Sequence, residues 1–142
     1  MNFLTFVNKE KGVVVVKASD AMEELYAEYY NFYCTDDAAY VPVSTFRDFR
    51  KKYGNMVDRI SGIATCNLEN GDVFDEEIGV MLAKERFMKT FEAYRAKMYE
   101  MIADDHVAMG AKAIRRLERS YDRKKDRFDR IDEIITQLRE QA

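Results

Sequence analysis

The chain has 142 residues, 47% of them apolar and 35% charged, with a net charge of −3 at neutral pH. The apolar share suffices for one buried core and excludes disorder by composition; the acidic balance excludes a protein that coats nucleic acid over its whole surface. One proline and six glycines suit long helices better than a many-turned all-β fold.

Cys34 and Cys66 stand far apart and in no metal-like spacing, so they read as free thiols in a reducing cytosol. Met1–Lys11 has no basic start or apolar run of signal-peptide length. No stretch approaches the roughly 18 apolar residues of a membrane span. A soluble, cytoplasmic protein is expected.

Phe3–Val7 and Val13–Lys17 are short β-rich runs around the polar stretch Asn8–Gly12, the pattern of a hairpin. Asp20 opens a helix, with Asp20-Ala21-Met22-Glu23 as an acidic capping box. Met22, Leu25, Tyr26, Tyr29, Phe32 and Tyr33 follow helical spacing. Thr35–Val43, with Asp36-Asp37 and Pro42, reads as a loop. Ser44 or Thr45 is expected to cap a shorter helix bearing Phe46, Phe49 and Tyr53, which Gly54 stops. Met56–Cys66 alternates loosely and predicts a third strand, bent at Gly62. Asn67–Asp72, with Asn70-Gly71, is a turn. Asp75 caps the next helix, with Glu76 and Glu77 well placed in its positive first turn. The apolar face of that helix runs through Ile78, Met81, Leu82, Met88, Phe91, Tyr94, Met98 and Ile102.

The last third, Asp105 to Leu138, carries the strongest pattern. Val107, Ile114, Tyr121, Phe128 and Ile135 recur every seven residues, with Leu117, Ile131 and Leu138 between them. These are a and d positions of a heptad repeat; Gly110 and Lys124 fill the two remaining d sites. A helix of this length reaches roughly 50 Å, and its seam must be covered by another helix of the chain, a second copy or another protein. The preceding apolar stripe projects onto Asp105 and Lys112, out of phase with this one. A break near residues 103–106, with Asp104-Asp105 as a new N-cap, therefore favours an αα-hairpin over one kinked helix. The expected class is α+β: a small three-stranded sheet with covering helices plus a long C-terminal helical hairpin or coiled-coil arm. Residues 1–102 form the head, and residues 103–142 form a long helix, either in the same domain or as a protruding arm.

Lys112 to Arg130 hold nine basic against four acidic residues, while the remainder of the chain is strongly acidic. Arg115, Arg116, Arg119 and Arg123 are candidates for phosphate contact. Glu118, Asp122, Asp126 and Asp129 are interleaved with them at ion-pair spacing, so a solvated coiled-coil face accounts for the run better. Asp104-Asp105-His106 joins two carboxylates to the only histidine, but helix capping explains the same residues and no second cluster completes a metal or general-base site. Gly71 and Glu77 are spaced as in a calcium loop, yet Cys66 and Leu68 fall at its first and third ligand positions and exclude that reading. Tyr26, Tyr29, Tyr30, Phe32, Tyr33 and Tyr40 could stack on bases, although at helical spacing they read as core, with Tyr30 and Tyr40 the more exposed. Common nucleotide, metalloprotease, redox and hydrolase motifs are absent. No cofactor and no metal are expected.

Gly62-Ile63-Ala64-Thr65-Cys66, then Phe74-Asp75-Glu76-Glu77-Ile78-Gly79 and Leu82-Ala83-Lys84-Glu85-Arg86, resemble a segment of small uncharacterised bacteriophage and prophage accessory proteins. The likeness spans less than a fifth of the chain. It implies a context, a viral protein acting on a host factor in a bacterial cytoplasm, and transfers no functional residues. The strand-then-helix order also resembles the end of a double-stranded-RNA-binding fold, but Asp75-Glu76-Glu77 replaces the basic helix start used there for phosphate.

The leading expectation is a non-enzymatic interaction or oligomerisation protein that inhibits a host defence or housekeeping factor. Its interface would be Val107, Ile114, Leu117, Tyr121, Phe128, Ile131, Ile135 and Leu138. A nucleic-acid binder using the four arginines and a small-molecule binder, such as one for a nucleotide, are the alternatives.

Overall fold

The computed structural model describes residues 1–34, 41–105 and 107–141, and of residues 105 and 107–111 the backbone only. Tyr40, His106, most of the expected 35–43 loop and the side chain of Val107 lie outside the described residues. The elements are β1 (Phe3–Asn8), β2 (Val13–Ala18), α1 (Ala21–Tyr33), α2 (Val43–Asp58), β3 (Gly62–Thr65), α3 (Glu76–Asp105) and α4 (Val107–Gln141), with a 3₁₀ turn at Leu68–Asn70. The fold is α+β, with an antiparallel sheet in the order β1-β2-β3.

Gly12 closes the β1–β2 hairpin with φ +64° and sits where a Cβ would meet the Cys66 carbonyl at 2.9 Å. Val14, Val16 and Ala64 are buried on the sheet's inner face, against which α3 lies. Glycine sets the closeness of that approach: a Cβ on Gly62 would fall 1.7 Å from the Ala83 carbonyl oxygen of α3.

Asp20 stands at the N-cap of α1, but its side chain caps nothing. Its Oδ1 accepts the Asn2 N–H at 2.8 Å, tying the start of β1 to α1; the expected capping box is therefore not formed. Leu25, Tyr29, Phe32 and Tyr33 are core residues, whereas Tyr26, placed on the same stripe by its spacing, is exposed. The Tyr29 hydroxyl donates to the Pro42 carbonyl.

Two expected boundaries are corrected. α2 starts at Val43 behind Pro42, not at a Ser44 or Thr45 cap, and it continues through Gly54 to Asp58. The stripe Phe46, Phe49 and Tyr53 extends to Val57, which is buried. Burying that further turn outweighs the roughly 1 kcal/mol that a mid-helix glycine costs. Met56–Asp58 are thus helical, and the third strand shrinks to Gly62–Thr65.

α3 is the hub. Its start matches expectation, with Asp75 Oδ1 accepting the Ile78 N–H at 3.1 Å. Phe87 meets Phe3 of the sheet at 5.4 Å between centroids, Tyr94 meets Tyr53 of α2 at 5.9 Å, and Tyr99 meets Phe32 of α1 at 5.7 Å. A helix with partners on several sides cannot show one clean stripe, and the expected core residue Met81 is half-exposed. Asp104 and Asp105 belong to the last turn of α3. α4 then returns antiparallel along α3, its Arg127 bonded to Glu85. Ala113, Ile131 and Ile134 of α4 join the same core as the sheet residues, so the last helix is part of the domain core.

Candidate interaction surface

The heptad pattern of α4 divides between two edges. Ile131 is buried, and Leu117, Ile135 and Leu138 pack against the core. Their companions, however, are Ala113, Ser120 and Ile134, one position before the expected a column. Ile114, Tyr121 and Phe128 remain 49, 48 and 48% exposed. The predicted seam is therefore rotated by one residue. Small Ala113 and Ser120, both fully buried, let the helices approach closely.

Charge favours the same rotation. Glu85 and Glu92, seven residues apart on α3, are buried in this interface. Arg127 Nη1 donates to both Glu85 oxygens at 2.8 and 3.0 Å, and Arg130 Nη1 reaches Oε1 at 3.1 Å. Glu92 pairs with Arg95 and, at 3.6 Å, with Arg123, while Arg95 Nε also reaches Glu28 of α1 at 2.9 Å. Buried carboxylates require such partners; Arg95 of α3 supplies one to Glu92, and the arginine-bearing edge of α4 supplies Arg123 to Glu92 and both partners of Glu85.

The outward column forms an apolar ridge dressed by α3. The Tyr121 hydroxyl donates to Glu100 Oε1 at 2.7 Å, and the Lys89 ammonium lies 4.8 Å from the centre of the Phe128 ring. The bond to Glu100, aided by burial, raises the Tyr121 pKa; burial, with Glu28 nearby, raises that of Tyr99. Tyr30 is raised as well, by its bond to the Cys34 thiol, so an ultraviolet titration should show three tyrosines ionising above the usual value of about 10. Above that pH the unfolded chain releases protons that the folded chain still holds, so stability should fall as pH rises through the folded-state values. Ionisation of all tyrosines at the usual value would contradict this.

The four candidate phosphate-contacting arginines are not equivalent. Arg123 is engaged by Glu92, Arg116 lines a cleft, and Arg115 and Arg119 are exposed with no ion pair among the described residues. That cleft, about 330 Å³, lies between α1, α3 and α4 and is lined by Glu24, Glu28, Asn31, Arg95, Tyr99 and Arg116 among others. Sequence reasoning missed it, because its walls come from three distant segments. Asp104 is exposed at the end of α3 and does not line this cleft. Among the described residues no group of His, Cys, Asp or Glu is arranged to hold a metal, and no helix is long and apolar enough to cross a membrane. Cys34 and Cys66 are free thiols, half-buried. No family model, curated protein or solved structure matches this chain.

Proposed function

We propose that this chain is a non-enzymatic interaction protein that docks a partner protein on the Ile114–Tyr121–Phe128 ridge. The observation carrying this reading is three large apolar side chains, evenly spaced along one helix edge and each about half exposed. Seven-residue spacing suits a second amphipathic helix laid alongside, with its own apolar stripe as the complement. Arg115, Glu118, Asp122 and Lys125 flank the ridge with both signs of charge, which would fix orientation more than strength. The phage-like segment makes a bacterial host factor, inhibited by being bound, the partner class to test first.

Because Ile114 and Phe128 are half-exposed, the double substitution I114D/F128D should leave the fold intact, with a stability change of about 1 kcal/mol or less. It should abolish retention of the partner from a bacterial lysate. Equal retention by variant and wild type would refute the ridge. Loss of binding only in an R115A/R119A variant, with a steep salt dependence, would assign the surface to nucleic acid.

A further inference from the structure

The two edges of the sheet are treated differently. On β3, the outward Ile63 carbonyl accepts Arg86 Nη1 at 2.7 Å, so a side chain of α3 obstructs that edge. On β1, the Ser19 N–H donates to the Asn2 carbonyl, which fixes the parity of the ladder. Leu4, Phe6 and Asn8 then face β2 through their backbones, in register with Lys17, Val15 and Val13. Phe3, Thr5 and Val7 turn their N–H and C=O groups outward, where they have no partner among the described residues. The strand carries no charge and no proline, so it lacks the usual devices that keep an edge from pairing.

We propose that β1 pairs antiparallel with β1 of a second copy about a two-fold axis at Thr5, giving one continuous six-stranded sheet. The strand is close to a chemical palindrome: Asn2-Phe3-Leu4-Thr5-Phe6-Val7-Asn8. Self-pairing about Thr5 sets Asn2 beside Asn8, Phe3 beside Val7 and Leu4 beside Phe6, as an isologous interface requires. Phe3, Thr5 and Val7 all fall in hydrogen-bonded pairs in this register, so the unpaired groups of both edges are satisfied together.

Two further observations fit a second copy. Thr5 and Val7 lie opposite the buried Val16 and Val14, on the helix-covered face, yet both are exposed. The helical layer thus reaches β1 only at Phe3, which packs on Phe87, and leaves room for a neighbouring sheet beside Thr5 and Val7. The same register brings the hairpin tip, Lys9-Glu10-Lys11, toward the start of α1 in the other copy. Lys9 pairs with Glu76, Glu24 with the Met1 amino group and Asp20 with the Asn2 N–H, so the charges that meet there are those of Lys11 and the exposed Glu23. The surface is separate from the α4 ridge, and neither reading depends on the other.

Size-exclusion chromatography with light scattering should give twice the 16.7 kDa chain mass. Thr5→Pro removes an outward N–H and no bond to β2, so it should yield a folded monomer. Thr5→Cys places two thiols at the axis, within the Cα separation a disulfide allows, and should cross-link to a dimer under a mild oxidant such as oxidised glutathione, whereas wild type should not. A wild-type monomer across the concentration series would overturn the proposal, whether or not a strand from another protein can occupy the edge. So would a dimer that survives Thr5→Pro but not I114D/F128D, which would assign self-association to the ridge. Should Thr5→Pro fail to fold, absence of the Thr5→Cys cross-link would decide against it alone.

Discussion

Gly62→Ala should destabilise the protein by about 3 kcal/mol or more, from one added methyl group. Its Cβ would lie 1.7 Å from the Ala83 carbonyl oxygen, 2.6 Å from the Phe87 nitrogen and 2.8 Å from the Ala83 carbonyl carbon. All three atoms are α3 backbone, so no side chain can swing away. The helix must instead withdraw from the sheet and loosen Val14, Val16, Phe87 and Phe91, which are all but inaccessible to solvent. Gly71→Ala is the control: its φ is +81° but nothing lies within 4 Å of the added atom, so only backbone strain of about 1 kcal/mol applies. In urea melts the Gly62 variant should show a much lower midpoint than the Gly71 variant. Similar midpoints for the two would refute the idea that glycine sets the sheet–helix distance.

What the sequence made legible was local chemistry. The hairpin follows from two β-rich runs around a polar loop, and the start of α3 from Asp75, whose carboxylate caps the helix. The α+β class follows from the segregation of those signals. Gly54 misled because a residue type associated with helix ends was weighed above a stripe that continues to the buried Val57. Tyr26 misled because spacing places a residue on a face without saying how far the neighbouring element extends.

The rotation of α4 is the most informative departure. Side-chain hydropathy selects Ile114, Tyr121 and Phe128 as core, and taken alone α4 would bury them. The partner helix reverses that choice, because Glu85 and Glu92 occupy its contact face and need cations. The signal was present in two places: a pair of glutamates seven residues apart in an apolar helix, and Ala113 and Ser120 at the same interval in α4. Neither is decisive until the hairpin brings them together. The same pairing is why the basic run cannot be counted whole as a phosphate-binding surface, since Arg123, Arg127 and Arg130 are drawn to those carboxylates.

Glu92 should therefore matter more to stability than any exposed charge. Only 1% of its side chain is accessible, and it is ion-paired to Arg95 and Arg123. Glu92→Ala removes the carboxylate and leaves a void between α3 and α4; a loss of about 3 kcal/mol is expected from breaking a buried ionic contact on one side. Arg95 keeps Glu28 as a partner at 2.9 Å, which holds the loss toward the lower end of such cases. Arg123 is 43% exposed and can turn to water, so Arg123→Ala should cost under about 1 kcal/mol after solvent screening. Glu92→Met restores most of the volume without the charge, and should recover much of the stability lost in Glu92→Ala. Urea denaturation of the three variants separates the contributions. If Glu92→Ala and Arg123→Ala were equally mild, the carboxylate would not be what holds α4 on its arginine-bearing edge, and shape alone, through Ala113 and Ser120, would have to account for the rotation.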